Sequence, residues 1–179
     1  HEVMQIAQLL QENYGLTGEI SQLPGERDLN YKLVSKNGNF IFKVHDLGEL
    51  NFIQLQQELL QRIAFVTALK EPRPVKTISG DSLISLPENR IGRLLTWVEG
   101  ELYSQVQTSA ELKTSLGSAV ALVDKELADF NANEYLEILE RPFGWNIKQF
   151  ESLVPKINLI KDENLKTQVS KVFELASTS

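Results

Sequence analysis

Lys43 stands in Phe40-Ile41-Phe42-Lys43-Val44, a run of aromatic and β-branched residues behind an Asn37-Gly38 turn. Such a run suits a strand in a half-buried sheet, and a cation placed there must find a partner or reach water. Two roles are open to it. On an edge strand the ammonium can snorkel to solvent. In a phosphate site it supplies a point charge to phosphate oxygens. The rest of the chain has to decide between them.

Composition narrows the classes. The chain has 179 residues, 42% of them hydrophobic, which suits one compact unit or two small lobes. Its net charge of −6 argues against a nucleic-acid partner or an anionic membrane surface, which call for basic patches. A local phosphate site is compatible with that charge. There is no cysteine, hence no disulfide and no thiolate zinc site. The two histidines, His1 and His45, leave little for a histidine metal site or a Ser-His-Asp triad. No apolar run approaches the ~20 residues of a membrane span. The expectation is a soluble, cytoplasmic protein.

Periodicity then places the elements. Val3, Ile6, Leu9 and Leu10 share one face of a helix over Glu2–Asn13, ended by Gly15. Strands are expected over Leu16–Leu23, Leu29–Ser35 and Phe40–His45, joined by the turn Pro24-Gly25-Glu26-Arg27-Asp28 and the tight Asn37-Gly38 hairpin. A long helix follows over Glu49–Leu69 until Pro72 and Pro74 break it. Val75–Ser79 and Ser82–Leu86 read as a hairpin about Gly80-Asp81, and Ile91–Val98 as the last strand. After Gly100 the pattern is helical: Ser109–Phe130 with Thr108 or Ser109 as N-cap, Glu134–Leu139, a helix capped by Asn146 after a turn at Pro142–Trp145, and Lys161–Ala176. The expected fold class is therefore α+β, an antiparallel sheet with helices over residues 1–98 and a helical part over 99–179.

Four pieces of this chain resemble the aminoglycoside and choline phosphotransferase family, whose fold is protein-kinase-like. They are Gly25-Glu26-Arg27-Asp28-Leu29-Asn30-Tyr31, the lysine strand, Glu58 in Leu55-Gln56-Gln57-Glu58-Leu59-Leu60, and Arg93-Leu94-Leu95-Thr96-Trp97-Val98-Glu99-Gly100. Pro72-Arg73-Pro74-Val75, the segment from Leu122 to Phe130 and Trp145-Asn146-Ile147-Lys148 look like its hydroxylysine-kinase-type branch, which includes domains fused ahead of class III aminotransferases. The resemblance implies a kinase-like N-lobe followed by the first helices of a helical C-lobe. It implies ATP or GTP with Mg²⁺ as cofactor and a small-molecule acceptor as partner. It makes Lys43 the phosphate lysine, with Glu58 as the acid that positions it within ~4 Å and Glu49 as the competing choice. Thr96 and Val98 would offer backbone groups to the base. Gly25 would let the turn approach phosphate, and Asn30 or Arg27 would reach a phosphate oxygen. Trp97 is expected in the core rather than stacked on a base.

The departures are as informative. One glycine stands in the phosphate turn instead of the three of a G-x-G-x-x-G loop, and no G-x-x-x-x-G-K-[ST] occurs. The family's His-x-Asp loop needs a histidine, and none follows His45. No catalytic or metal-binding residue is therefore assigned. The expectation is the nucleotide-binding N-terminal part of a phosphotransferase, cut before its catalytic loop and inactive alone, whose exposed apolar helix faces could promote oligomers. The alternative is a non-catalytic ligand-binding or docking domain of a larger fused metabolic enzyme such as a class III aminotransferase.

Overall fold

The structure is a computed structural model that describes residues 2–25, 28–141 and 147–177. Arg27, the Pro142–Trp145 turn and the Asn146 cap lie outside the described residues. The described chain falls into two units, His1–Tyr135 and Leu136–Ser179.

The first unit opens with α1 (Glu2–Tyr14), then β1 (Gly18–Leu23), β2 (Leu29–Ser35) and β3 (Gly38–Asp46) as an antiparallel meander. α2 (Leu50–Ile63) follows. β4 (Pro74–Val75), β5 (Ile84–Leu86) and β6 (Arg90–Thr96) complete a six-stranded sheet of order β1-β2-β3-β6-β4, with β5 also on β6. β3 and β6 are antiparallel, with Lys43 opposite Arg93 and Phe42 opposite Leu94.

Side chains alternate across a strand, so the sheet has two different faces. Tyr31, Leu33, Phe42, Val44 and Leu94 form the apolar core with Ile6, Leu10 and Tyr14 of α1. Tyr14 meets the Phe42 ring edge-on, with centroids 6.5 Å apart. Burial pushes the Tyr14 phenol up to about 12. The other face carries Asn30, Lys43, His45 and Arg93, and α2 buries Ile53, Leu55 and Gln57.

Two expected elements differ. α2 ends at Ile63, six residues before Leu69, and its bonds shorten to i→i−3 turns: Phe65 N–H donates to the Arg62 carbonyl and Val66 N–H to that of Ile63. Phe65 is 83% exposed, so beyond Ile63 the apolar stripe has little to pack on. The expected hairpin about Gly80-Asp81 is also not a strand pair. β4 and β5 each pair with β6, and the true hairpin is β5–β6. Its turn holds Glu88 and Asn89 at φ 59° and 55°, the doubly left-handed form that matches strand twist.

α3 (Ala110–Leu127) is capped by Ser109, whose hydroxyl accepts from the Leu112 N–H at 3.1 Å. It docks on α2: Arg62 Nε donates to the Glu126 carbonyl at 2.9 Å and the guanidinium pairs with Asp129. The strands end at Thr96, and the described residues after Gly100 contain helices and turns only. The second unit holds α4 (Leu136–Leu139), a 3-10 segment over Ile147–Leu159 and α5 (Glu163–Ser177). Among the described residues no helix is long and apolar enough to cross a membrane.

Candidate functional site

The α2 face of the sheet gathers charge at one place. Lys43 Nζ lies 3.5 Å from Asp28 Oδ2, with the lysine side chain 22% exposed. The other oxygen of Asp28 lies 2.9 Å from Nδ1 of His45, which is 4% exposed. Arg93, on the neighbouring strand and buried to 2%, donates from Nε to His45 Nε2 at 3.2 Å. The rest of its guanidinium donates to Gln57 Oε1 at 3.2 Å and to Gln56 Oε1 of α2. A connected chain thus runs from α2 across β6 and β3 to the residue just before β2.

The electrostatics follow from burial. Burial lowers the pKa of His45 more than Asp28 raises it, so the imidazole is held neutral. Burial also pushes the Arg93 guanidinium down to about 10, which leaves it charged at neutral pH. Two cations, Lys43 and Arg93, therefore face one carboxylate, Asp28. Among the contacts of the described residues, these two cations stand against that one carboxylate, in a chain whose net charge is −6.

Asn30 sits directly across from Lys43 in the β2–β3 register and is 8% exposed. Its Nδ2 donates to the Asp28 carbonyl at 3.3 Å, and its Oδ1 is buried with no partner among the described residues. Gly25 packs into the same corner. A Cβ on it would lie 2.4 Å from the Asp28 carbonyl oxygen and 2.6 Å from Asn30 Nδ2, so only glycine fits.

Glu58 is elsewhere, and this corrects the expected pairing. It is exposed, and its Oε1 accepts from the Tyr135 hydroxyl, a bond that pushes the phenol up to about 12. The lysine has Asp28 as its acidic partner instead. One residue along a helix is a rotation of roughly 100°. With Gln57 aimed at Arg93, Glu58 points away from the sheet. Lys43, Arg93 and Asp28 appeared in the quoted stretches and His45 at the end of the expected third strand; what the sequence did not show was that they are neighbours. Strand alternation places Lys43 and His45 on one face, and the register with β6, which adds Arg93, is a long-range property.

At the end of β6 the Thr96 N–H donates to the Arg73 carbonyl at 2.9 Å, and its hydroxyl accepts from the Arg73 N–H at 2.8 Å. The Thr96 amide is therefore committed to the β4 side and is not free for a base. The Trp97 N–H is likewise taken, by the Asn39 carbonyl at 2.9 Å. No described residue engages the backbone of Val98, which is 37% exposed. Val98 lines a cleft of about 360 Å³ with Leu69, Lys70, Glu71, Arg73, Trp97 and Glu99. Trp97 lies under Lys32, whose Nζ is 4.1 Å from the ring centroid.

The fold of this chain is found in known proteins. A spectinomycin phosphotransferase in complex with ADP and spectinomycin superposes with a TM-score of 0.56 at 15% identity, over 98% of this chain and 53% of that one. The chain has a kinase-like phosphotransferase fold. A microcompartment-associated aminopropanol kinase gives 0.57 at 16% identity, over 82% and 46%. In sequence the chain is 25% identical over 187 residues to a hydroxylysine kinase of Xenopus laevis, covering 95% of this chain. It spans about half of that relative, 49% of its length. No protein-family model matches the chain. Its likeness is thus to the aminoglycoside and choline phosphotransferase family.

Proposed function

We propose that this chain is the nucleotide-binding part of a small-molecule kinase, one that phosphorylates a hydroxyl on an amine-bearing metabolite. The observation that carries this is the gathering of Lys43 and Arg93 about the single described carboxylate of Asp28, with His45 between, on one sheet face. An anion of high charge density, such as the phosphates of ATP or GTP, is the complementary ligand. Lys43 supplies the direct phosphate contact. Gly25 lets the preceding turn lie close, and Asn30 lines the same corner. Val98 offers its backbone to a base edge. Arg93 to Val98 is five residues of extended chain, roughly 17 Å, a span suited to an extended nucleoside triphosphate. The amine-bearing acceptor is inferred from the hydroxylysine, aminopropanol and spectinomycin of the similar proteins' names.

Mg²⁺ is a different matter. Among the described residues no group of three or more His, Asp or Glu could hold a metal ion. Phosphoryl transfer also needs an oriented acceptor hydroxyl, and no histidine follows His45 for a His-x-Asp loop. The 179 residues therefore bind nucleotide and transfer nothing by themselves, since positioning and electrostatic groups supply most of the rate.

Two measurements test this. Amide hydrogen exchange with and without ATP or GTP should slow in β2, β3 and β6, and unchanged exchange there would count against the site. Mass spectrometry of amine-bearing hydroxyl acceptors after long incubation with the chain and nucleotide should find no phosphorylated product. Turnover that Lys43→Ala abolishes would show that the chain is catalytic after all.

A further inference from the structure

We propose that Lys43 is positioned by a relay, Gln57–Arg93–His45–Asp28, in which a neutral His45 fixes the Asp28 carboxylate against the lysine. Its use, to aim the ammonium at a nucleotide phosphate, rests on the function proposed above. The relay itself stands on geometry alone.

A lone lysine–carboxylate pair at 3.5 Å with both partners partly exposed is weak and its rotamers are loose. Asp28 has a second anchor. His45 Nδ1 lies 2.9 Å from its other oxygen, and a buried imidazole has few rotamers to explore. Which nitrogen carries the proton is set from behind. Arg93 is always a donor, so its Nε–H at 3.2 Å requires Nε2 of His45 to be the bare acceptor. The proton must then sit on Nδ1, where it is donated to Asp28. Arg93 cannot swing away, because its other two nitrogens are held by Gln56 and Gln57 on α2. A lysine at 93 has no such fork. The orientation of α2 thus reaches Lys43 through neutral and paired groups, without an acid on the helix.

Protonation of His45 would break the relay, since two donors would then face each other at Nε2. The charged groups that bear on His45 are Asp28 before β2, Lys43 on β3 and Arg93 on β6. α2 brings the neutral Gln56 and Gln57 to the arginine. The buried imidazole's lowered pKa is consistent with this arrangement.

The test uses the 179-residue chain in wild-type form and as Asp28→Asn, His45→Phe and His45→Asn. His45→Asn keeps a donor near the Nδ1 position and loses the titration. On nucleotide-free protein at pH 8, the acylation rate of Lys43 is read by peptide mass spectrometry. It should rise about threefold or more in Asp28→Asn and His45→Phe, on the scale of one lost ion pair, and stay near wild type in His45→Asn. ATP affinity is read from pH 5 to 8. It should fall in the same two variants. The wild-type to His45→Asn ratio of affinities should drop below pH 6.5, the nucleotide's own titration cancelling in that ratio. Asp28→Asn is nearly isosteric at a partly exposed site, so the test stands even if His45→Phe does not fold. Unchanged acylation in Asp28→Asn overturns the relay. So does tighter ATP binding by Asp28→Asn, which would make the carboxylate a competitor of phosphate. The expected acylation pattern without ATP binding to any form would uphold the relay and refute the nucleotide site.

Discussion

On the α1 face of the sheet stand Tyr31, Phe42 and Leu94, none more than 1% exposed and packed against other apolar side chains. One residue along in each strand, on the α2 face, stand Asn30, Lys43 and Arg93. The same three strands thus build a dry core and a charged, hydrogen-bonded layer a sheet thickness apart. The difference teaches what each helix is for. α1 closes the core. α2 brings Gln56 and Gln57 to a buried guanidinium and so carries polar contacts to the charged face. Stability should reside mainly on the first face and ligand binding on the second.

The largest effect should come from emptying the dry face. Phe42→Ala removes a fully buried ring and should cost about 3–5 kcal/mol, read as a lowered denaturant midpoint. A loss below about 1 kcal/mol would mean the core is loosely packed there. Next is the close approach of β6 to that ring. A Cβ at Gly92 would lie 2.5 Å from Phe42 Cζ and 3.1 Å from Ile84 Cγ1, so Gly92→Ala should cost about 1–3 kcal/mol through overpacking.

Much of this architecture could be read from residue order. Period-two alternation gave β2 and β3 within a residue or two, and the Thr108-Ser109 pair marked the start of α3, with Ser109 the residue that caps it. The site was legible in part. Lys43 in an apolar strand advertised itself, because a cation there needs a partner. The partner did not: Glu58 and Gln57 differ by one helical step, and helix phase from a single sequence tolerates that error. Asp28 looked like an ordinary turn residue, and Arg93 like part of a buried strand. Both owe their roles to the β2–β3–β6 register. β4 and β5 were misjudged because Pro74 and Gly80 punctuate the chain without saying which strand each short piece pairs with.

A pH titration sharpens the contrast between faces. The folded pKa of His45 lies below its ordinary 6.5, chiefly through burial. As pH falls through 6.5 the unfolded chain takes up a proton that the folded chain refuses. The stability contributed is therefore complete above 6.5 and is lost as pH drops toward the folded value. Equilibrium denaturation between pH 5 and 8 should show this decline in the wild type and a smaller one in His45→Asn. Equal slopes in the two would place the linkage in other groups.

The smallest effect on stability should be that of Lys43→Ala, within about 1 kcal/mol, the scale of its partly exposed ion pair with Asp28. The same substitution is the most direct test of the central claim, that the α2 face binds a nucleotide's phosphates while the α1 face holds the fold. Calorimetric titration of ATP into the wild type and into Lys43→Ala, each with its denaturation midpoint measured alongside, reads both properties at once. A fall in affinity of about tenfold or more, the scale of one charge-assisted contact, with the midpoint nearly unchanged, is the predicted result. Equal affinities in the two proteins, or a loss of binding that only follows a loss of folding, would contradict it.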